Sequence, residues 1–238
     1  MNWTERTELL IGKDGLRKLK KSHVLIAGLG GVGGYAAEQL ARAGIGKLTL
    51  LDADVINPSN INRQIIALSN NIGQAKTDEF KKRLLLINPQ LEIILYNDFL
   101  KDEKIPEIVL QNNYDYVVDA IDTLSPKIHF IRECYENKIP FVSSMGAGGK
   151  TDPLKVSIAD ISETYNCNLA RHVRQNLSKK GIKSGVKTVF SIEKTDKNSV
   201  ILEENQNKKS NVGTISYMPA LFGIFCASIV IRDLISDA

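Results

Sequence analysis

The chain has 238 residues, 43% of them hydrophobic and 24% charged. That length suffices for one sizeable core, and that composition excludes a disordered or fibrous protein. The net charge of +4 and a pI near 8.8 permit an anionic partner without demanding one. The three cysteines, Cys134, Cys167 and Cys226, form no C-x-x-C pair, which gives no ground for a zinc ribbon or a disulfide framework and points to a reducing cytoplasm.

The N-terminal "MNWTERTELL" is charged and lacks the apolar centre of a signal peptide. Beyond it, short runs rich in Val, Ile and Leu predict strands at 23–27, 47–52, 92–96, 115–119 and 139–144. Helical patterns lie between them at 33–43, 73–87, 102–112 and 125–137, the second stopped by Asn88–Pro89. Strands alternating with helices imply an α/β, Rossmann-like fold, mostly parallel, with helices on both faces of the sheet.

After Lys150 the pattern changes. "PLKVSIADI" and "VKTVFSIEK" alternate like strands, and the basic helix "LARHVRQNLSKK" lies between them. The polar stretch 193–211 reads as a mobile loop or loose hairpin, and an apolar segment at 215–235 closes the chain. That segment is nearly long enough to span a bilayer, but Pro219, Arg232, Asp233, Ser216 and Ser228 interrupt it. A long core or subunit-interface helix is expected, with no stable membrane insertion. With no linker in view, residues 1–238 read as one domain: a nucleotide-binding part at 1–150 and an elaborated C-terminal third at 151–238.

Gly28, Gly30 and Gly33 satisfy G-x-G-x-x-G between a strand and a helix. The pattern supplies a tight turn, close approach of backbone amides to phosphate, and close helix–strand packing. Asp52 ends the second strand about 20 residues on, where a carboxylate accepts hydrogen bonds from ribose hydroxyls. "SMGAGGKT" at 144–151 ends like a P-loop, but Ser144 replaces its first glycine and Asp152–Pro153 opposes the helix that must follow. It reads as a flexible glycine-rich turn beside the site.

Downstream, "DADVINPSNINRQ" adds Asp54, Asn60 and Arg63, and "GQAK" sets Lys76 in the first turn of the next helix. A dinucleotide pyrophosphate is held largely by amides, whereas a triphosphate calls for cations such as Arg63 and Lys76. "VVDAID" places Asp119 and Asp122 at the carboxyl end of a strand, where a carboxylate can hold Mg²⁺ against phosphate oxygens.

G-x-G-G-V-G (with Gly31), "LLDAD", "NxxRQ", "GQAK" and "DAID", in this order, resemble the adenylating domain of the ubiquitin-activating-enzyme-like (ThiF/MoeB/HesA) superfamily over nearly the whole chain. The resemblance implies ATP and Mg²⁺ as cofactors and a homodimer. It also implies Asp52 at the ribose, Arg63 and Lys76 at the phosphates, Asn60 supporting them, and Asp122 as metal ligand. Arg6, in "RTELLIGKDG", matches an arginine that reaches the neighbouring subunit's ATP.

Carrier-protein activators of the superfamily often carry two zinc-binding C-x-x-C pairs, which this sequence lacks. Its C-terminal segments look instead like the branch that uses ATP to cyclise threonylcarbamoyladenosine in tRNA. Some members carry a cysteine before the last helix, where this chain reads "SNVGTIS"; the departure favours direct ring closure over a sulfur relay. The sequence does not resolve a sulfur-mobilising partner. The basic run from Arg171 through Arg174, Lys179 and Lys180 to Lys187 reads by itself as a solvated helix face, and beside an ATP site as a tRNA-phosphate patch. Two rivals remain: an adenylyltransferase for the C-terminus of a ubiquitin-like sulfur carrier, and an NAD-sensing module without turnover.

Overall fold

The structure is a computed structural model that describes residues 3–99, 104–195, 199–202 and 210–236. Seven strands form the main sheet: β1 (His23–Ala27), β2 (Lys47–Leu51), β3 (Glu92–Tyr96), β4 (Tyr116–Asp119), β5 (Phe141–Ser144), β6 (Val156–Asp160) and β7 (Lys187–Ser191). Their order is β3-β2-β1-β4-β5-β7-β6, parallel throughout except that β6 runs antiparallel to β7. β1 and β4 are buried along their whole length, as central parallel strands covered on both faces require. The strand order reverses between them, and this is where ligands bind in doubly wound sheets.

The helices are α1 (Glu5–Lys21), α2 (Gly33–Ala43), α3 (Lys76–Ile87), α4 (Lys104–Leu110), α5 (Leu124–Glu136), α6 (Asn168–Lys179) and α7 (Tyr217–Ile235). The expected strands and most expected helices are present, with boundaries moved by a few residues; positions 102 and 103 lie outside the described residues. α1 has no counterpart in the sequence reading. Gly12, at φ 75°, joins two helical pieces, and Leu9 and Leu10 face solvent, so no clean apolar stripe marks the helix.

Within 193–211, β8 (Val200–Leu202) pairs antiparallel with β9 (Ser210–Val212), which agrees with a hairpin; 196–198 and 203–209 lie outside the described residues. Among the described residues α7 is the one helix long and apolar enough to cross a membrane, yet 44% of its most apolar stretch is buried within the chain. It packs on α2, α1 and β5. Gly223 makes the crossing possible, since a Cβ there would stand 2.3 Å from the Val32 carbonyl oxygen.

Candidate nucleotide site and basic helix

The turn between β1 and α2 is built from glycines with different duties. Gly28 sits at φ 89°, and a Cβ on it would lie 2.7 Å from the Ala120 carbonyl oxygen; one on Gly33 would lie 1.8 Å from the Gly28 carbonyl oxygen. A Cβ on Gly31 would meet Pro219 of α7 at 2.9 Å. These three are required by the chain's own packing. Gly30 differs, because a Cβ there meets nothing nearer than Gln64 Nε2 at 3.7 Å. No side chain caps the amino end of α2, and its first turn holds no acid, so its amides and partial positive charge are open to an anion.

At the end of β2, Asp52 accepts hydrogen bonds from the Leu29 amide at 2.6 Å and the Asp54 amide at 2.8 Å. Burial pushes its carboxyl above the usual range, and Lys76 opposes the rise. Lys76 opens α3, is buried, and reaches Asp54 Oδ2 at 2.7 Å and Asp52 Oδ1 at 3.8 Å. Lys76 is therefore not a solvated surface charge. Asn60 is buried and braces its loop, accepting the Asn57 amide at 3.0 Å on its side chain and the Arg63 and Gln64 amides on its carbonyl. Half-buried Arg63 holds the Ser59 carbonyl at 2.8 Å and Asn62 Oδ1 at 2.9 Å.

Two residues that the sequence reading passed over belong to this region. Gln64 is buried and its Oε1 has no hydrogen-bond partner among the described residues, an orphaned acceptor beside the glycine turn. Lys127 of α5 is fully buried, with Nζ 2.8 Å from Asp119 Oδ2 and donating to the Ile121 carbonyl at 3.1 Å. Asp119 also accepts from the Ser143 hydroxyl at 2.6 Å and the Ile121 amide at 3.1 Å. A lysine in a helical pattern reads as surface, and only the apolar neighbours Ile128, Phe130 and Ile131 hint otherwise. With Asp119 so engaged, exposed Asp122 is the carboxylate at this strand end that faces solvent.

"SMGAGGKT" is not a phosphate loop. Lys150 is buried and bonds the carbonyls of Asn166 and Glu193. The turn is also less free than expected: Glu193 accepts the amides of Thr151 and Asp152, and Gly149 donates to the Gly213 carbonyl at 2.8 Å.

Farther along, α6 buries Ala170, Val173 and Leu177 and exposes Arg171, Lys179 and Lys180. Arg174 is partly committed to structure, holding the carbonyl and hydroxyl of Thr164 at 2.7 and 2.6 Å. Arg174, Gln175, Ser178, Lys179 and Lys183 line a cleft of about 670 Å³. Arg6 stands exposed on α1.

An amide-lined turn at the switch point, a buried acid at the end of β2 and a buried lysine form a candidate nucleotide site on a Rossmann-like sheet. The chain belongs to the ThiF family, whose model matches residues 5–237. It is 40% identical to the tRNA threonylcarbamoyladenosine dehydratase of Bacillus subtilis, over 98% of this chain and 94% of that one. It superposes with a TM-score of 0.87 on the crystal structure of the Escherichia coli enzyme TcdA, tRNA N6-threonylcarbamoyladenosine dehydratase, in complex with ATP, at 34% identity over 96% and 92% of the two chains. Its match to the molybdopterin-synthase adenylyltransferase of Haemophilus influenzae is 35% identical and spans 69% and 66%.

Proposed function

We propose that this protein is an ATP-dependent tRNA threonylcarbamoyladenosine dehydratase, acting as a cytoplasmic homodimer. The observation that carries the reading is the near full-length likeness to dehydratases, against a partial one to a carrier-protein adenylyltransferase. A free carboxylate is a poor acyl donor, since its leaving group is oxide. Attack of the substrate carboxylate on the α-phosphorus of ATP releases pyrophosphate and gives an acyl-adenylate. The substrate's own carbamoyl group then attacks the acyl carbon, AMP leaves, and the ring closes with net loss of water. Proximity within one side chain favours this second step.

In this reading Gly28, Gly30, Gly31 and Gly33 shape the phosphate turn, and Asp52 holds the ribose hydroxyls. Lys76, freed from Asp54 by the incoming phosphates, and Arg63 stabilise charge on them, with Asn60 bracing the loop. No group of three or more His, Cys, Asp or Glu among the described residues could hold a metal alone. Mg²⁺ would instead be held by exposed Asp122 together with ATP oxygens, where it would neutralise phosphate charge. The open space above Gly30, with the Gln64 amide nitrogen as its nearest atom at 3.7 Å, fits a ligand with hydrogen-bond acceptors such as phosphate. Residues 151–238 supply the tRNA face, with Arg171, Lys179 and Lys180 on phosphates and Arg174 holding the helix.

The test is ATP turnover with unmodified tRNA, with tRNA carrying threonylcarbamoyladenosine, and with a sulfur-carrier protein. Stimulation by the modified tRNA and formation of the cyclised base are expected; stimulation by the carrier protein alone overturns the reading.

A further inference from the structure

We propose that Lys127 is a positioning residue for the metal–phosphate site, acting through the main chain of the Asp122 loop; this rests on the reading of Asp122 as metal ligand. A fully buried ion pair is a costly way to fill a core. Here the pair is tied to one short segment from both sides. Lys127 Nζ holds the Ile121 carbonyl at 3.1 Å, while Asp119 Oδ1 holds the Ile121 amide at 3.1 Å. Asp119 Oδ2 receives the Ser143 hydroxyl at 2.6 Å from the neighbouring strand β5. Both polar groups of Ile121, the residue before Asp122, are thus fixed to charges that cannot turn toward water.

The same segment is joined to the glycine turn. The Ala120 amide donates to the Ala27 carbonyl at 2.8 Å, and the Ala120 carbonyl covers Gly28 so closely that a Cβ would stand 2.7 Å from it. Lys127 therefore sets the distance between the phosphate turn and the Asp122 carboxylate. A neutral, well-packed side chain would fill the same space without holding Ile121, and that difference is measurable.

The readout is the ratio of ATP dissociation constants without and with Mg²⁺, measured by calorimetry on the full chain, beside thermal unfolding. Asp122→Asn should bring the ratio close to one. The double variant Asp119→Asn/Lys127→Met removes both charges together, so neither is left buried alone. It is expected to unfold cooperatively and bind metal-free ATP within about twofold of wild type, while the ratio falls about tenfold. A double variant that keeps the wild-type ratio while Asp122→Asn loses it overturns the positioning role. If Asp122→Asn also keeps the ratio, the metal reading itself is wrong and the proposal falls with it. Should the double variant not unfold cooperatively, Lys127→Met, which removes the Ile121 contact and leaves Asp119 its bonds from Ser143 and the Ile121 amide, is read the same way; a drop of about threefold supports the proposal and an unchanged ratio overturns it.

Discussion

Among the turn glycines, sequence identity hides a division of labour that the structure makes testable. Gly33→Ala drives a methyl to 1.8 Å from a backbone oxygen that nothing can move, so it should cost about 3 kcal/mol or more in chemical unfolding. Gly30→Ala meets no such atom and should melt close to wild type, yet weaken ATP binding about tenfold by calorimetry, because the space it enters is the ligand's. An unaltered ATP affinity in Gly30→Ala would place the phosphates elsewhere. Legibility in the sequence followed the same line. Gly28, Gly33 and Asp52 were visible because local spacing after a strand dictates their places, whereas Lys76 was marked by the family resemblance and its burial shows only in the fold. Lys127 was not visible, because its partner Asp119 lies in another element and only tertiary packing removes the lysine from water. Gln64 was missed for a similar reason, since nothing in "NRQ" says which amide will be left buried without a partner.

At the scale of elements, the parallel strands announced themselves as apolar runs, while α1 did not, since its apolar residues divide between core and solvent around the Gly12 kink. α6 was legible as a basic helix, but what anchors it was not. Asp160 ends β6 and accepts the amides of Ser162, Gly185 and Val186 at 2.9, 2.6 and 3.0 Å, joining the turn before α6 to the segment after it. Burial pushes this carboxyl up, but those bonds and the Ser162 hydroxyl outweigh it and hold it below its ordinary value of 3.8. A depressed folded value means that its contribution is complete above the ordinary value and is lost as pH falls through the folded one. Asp160→Ala should therefore lower stability at neutral pH by about 1–2 kcal/mol, the carboxylate being partly in water. The gap to wild type should narrow as pH falls below that ordinary value, as thermal melts across pH would record. An equal gap at every pH would show that packing, not charge, matters there. The division on α6 also decides which cations report on tRNA. Arg174 braces Thr164, so neutralising it disturbs the helix. Arg171→Gln/Lys180→Gln removes two exposed charges and should reduce the salt slope of tRNA binding by about two units with ATP affinity unchanged. An unchanged slope would mean that tRNA lies on another face.

For the whole molecule the open question is what completes the site, and α1 supplies the means of asking it. The C-terminal segment was expected as a core or subunit-interface helix, and α7 packs against α2, α1 and β5 of its own chain. Among the described residues, exposed apolar side chains also lie at the other end. Leu9 and Leu10 are 82% and 86% exposed, three and four residues after Arg6 and hence on one helix face with it. A second copy seated on that face would cover both leucines and carry Arg6 to its neighbour, as the family resemblance of "RTELLIG" implies. Two variants separate the parts. Leu9→Asp/Leu10→Asp should give a monomer by light scattering at micromolar concentration, because charge replaces apolar area at a contact centre. Adenylation should fall with dimerisation, since each monomer then lacks the other's arginine. Arg6→Ala should stay a dimer and bind ATP, yet adenylate about a hundredfold more slowly, the usual loss when one cation is removed from developing phosphate charge. Mixing the monomeric variant with Arg6→Ala should restore nothing, because the first cannot associate. An Arg6→Ala dimer mixed with a dimeric Lys76→Ala variant should instead regain activity in the hybrid, where one site has a whole set of residues. A monomer that adenylates at the wild-type rate would refute the shared site outright.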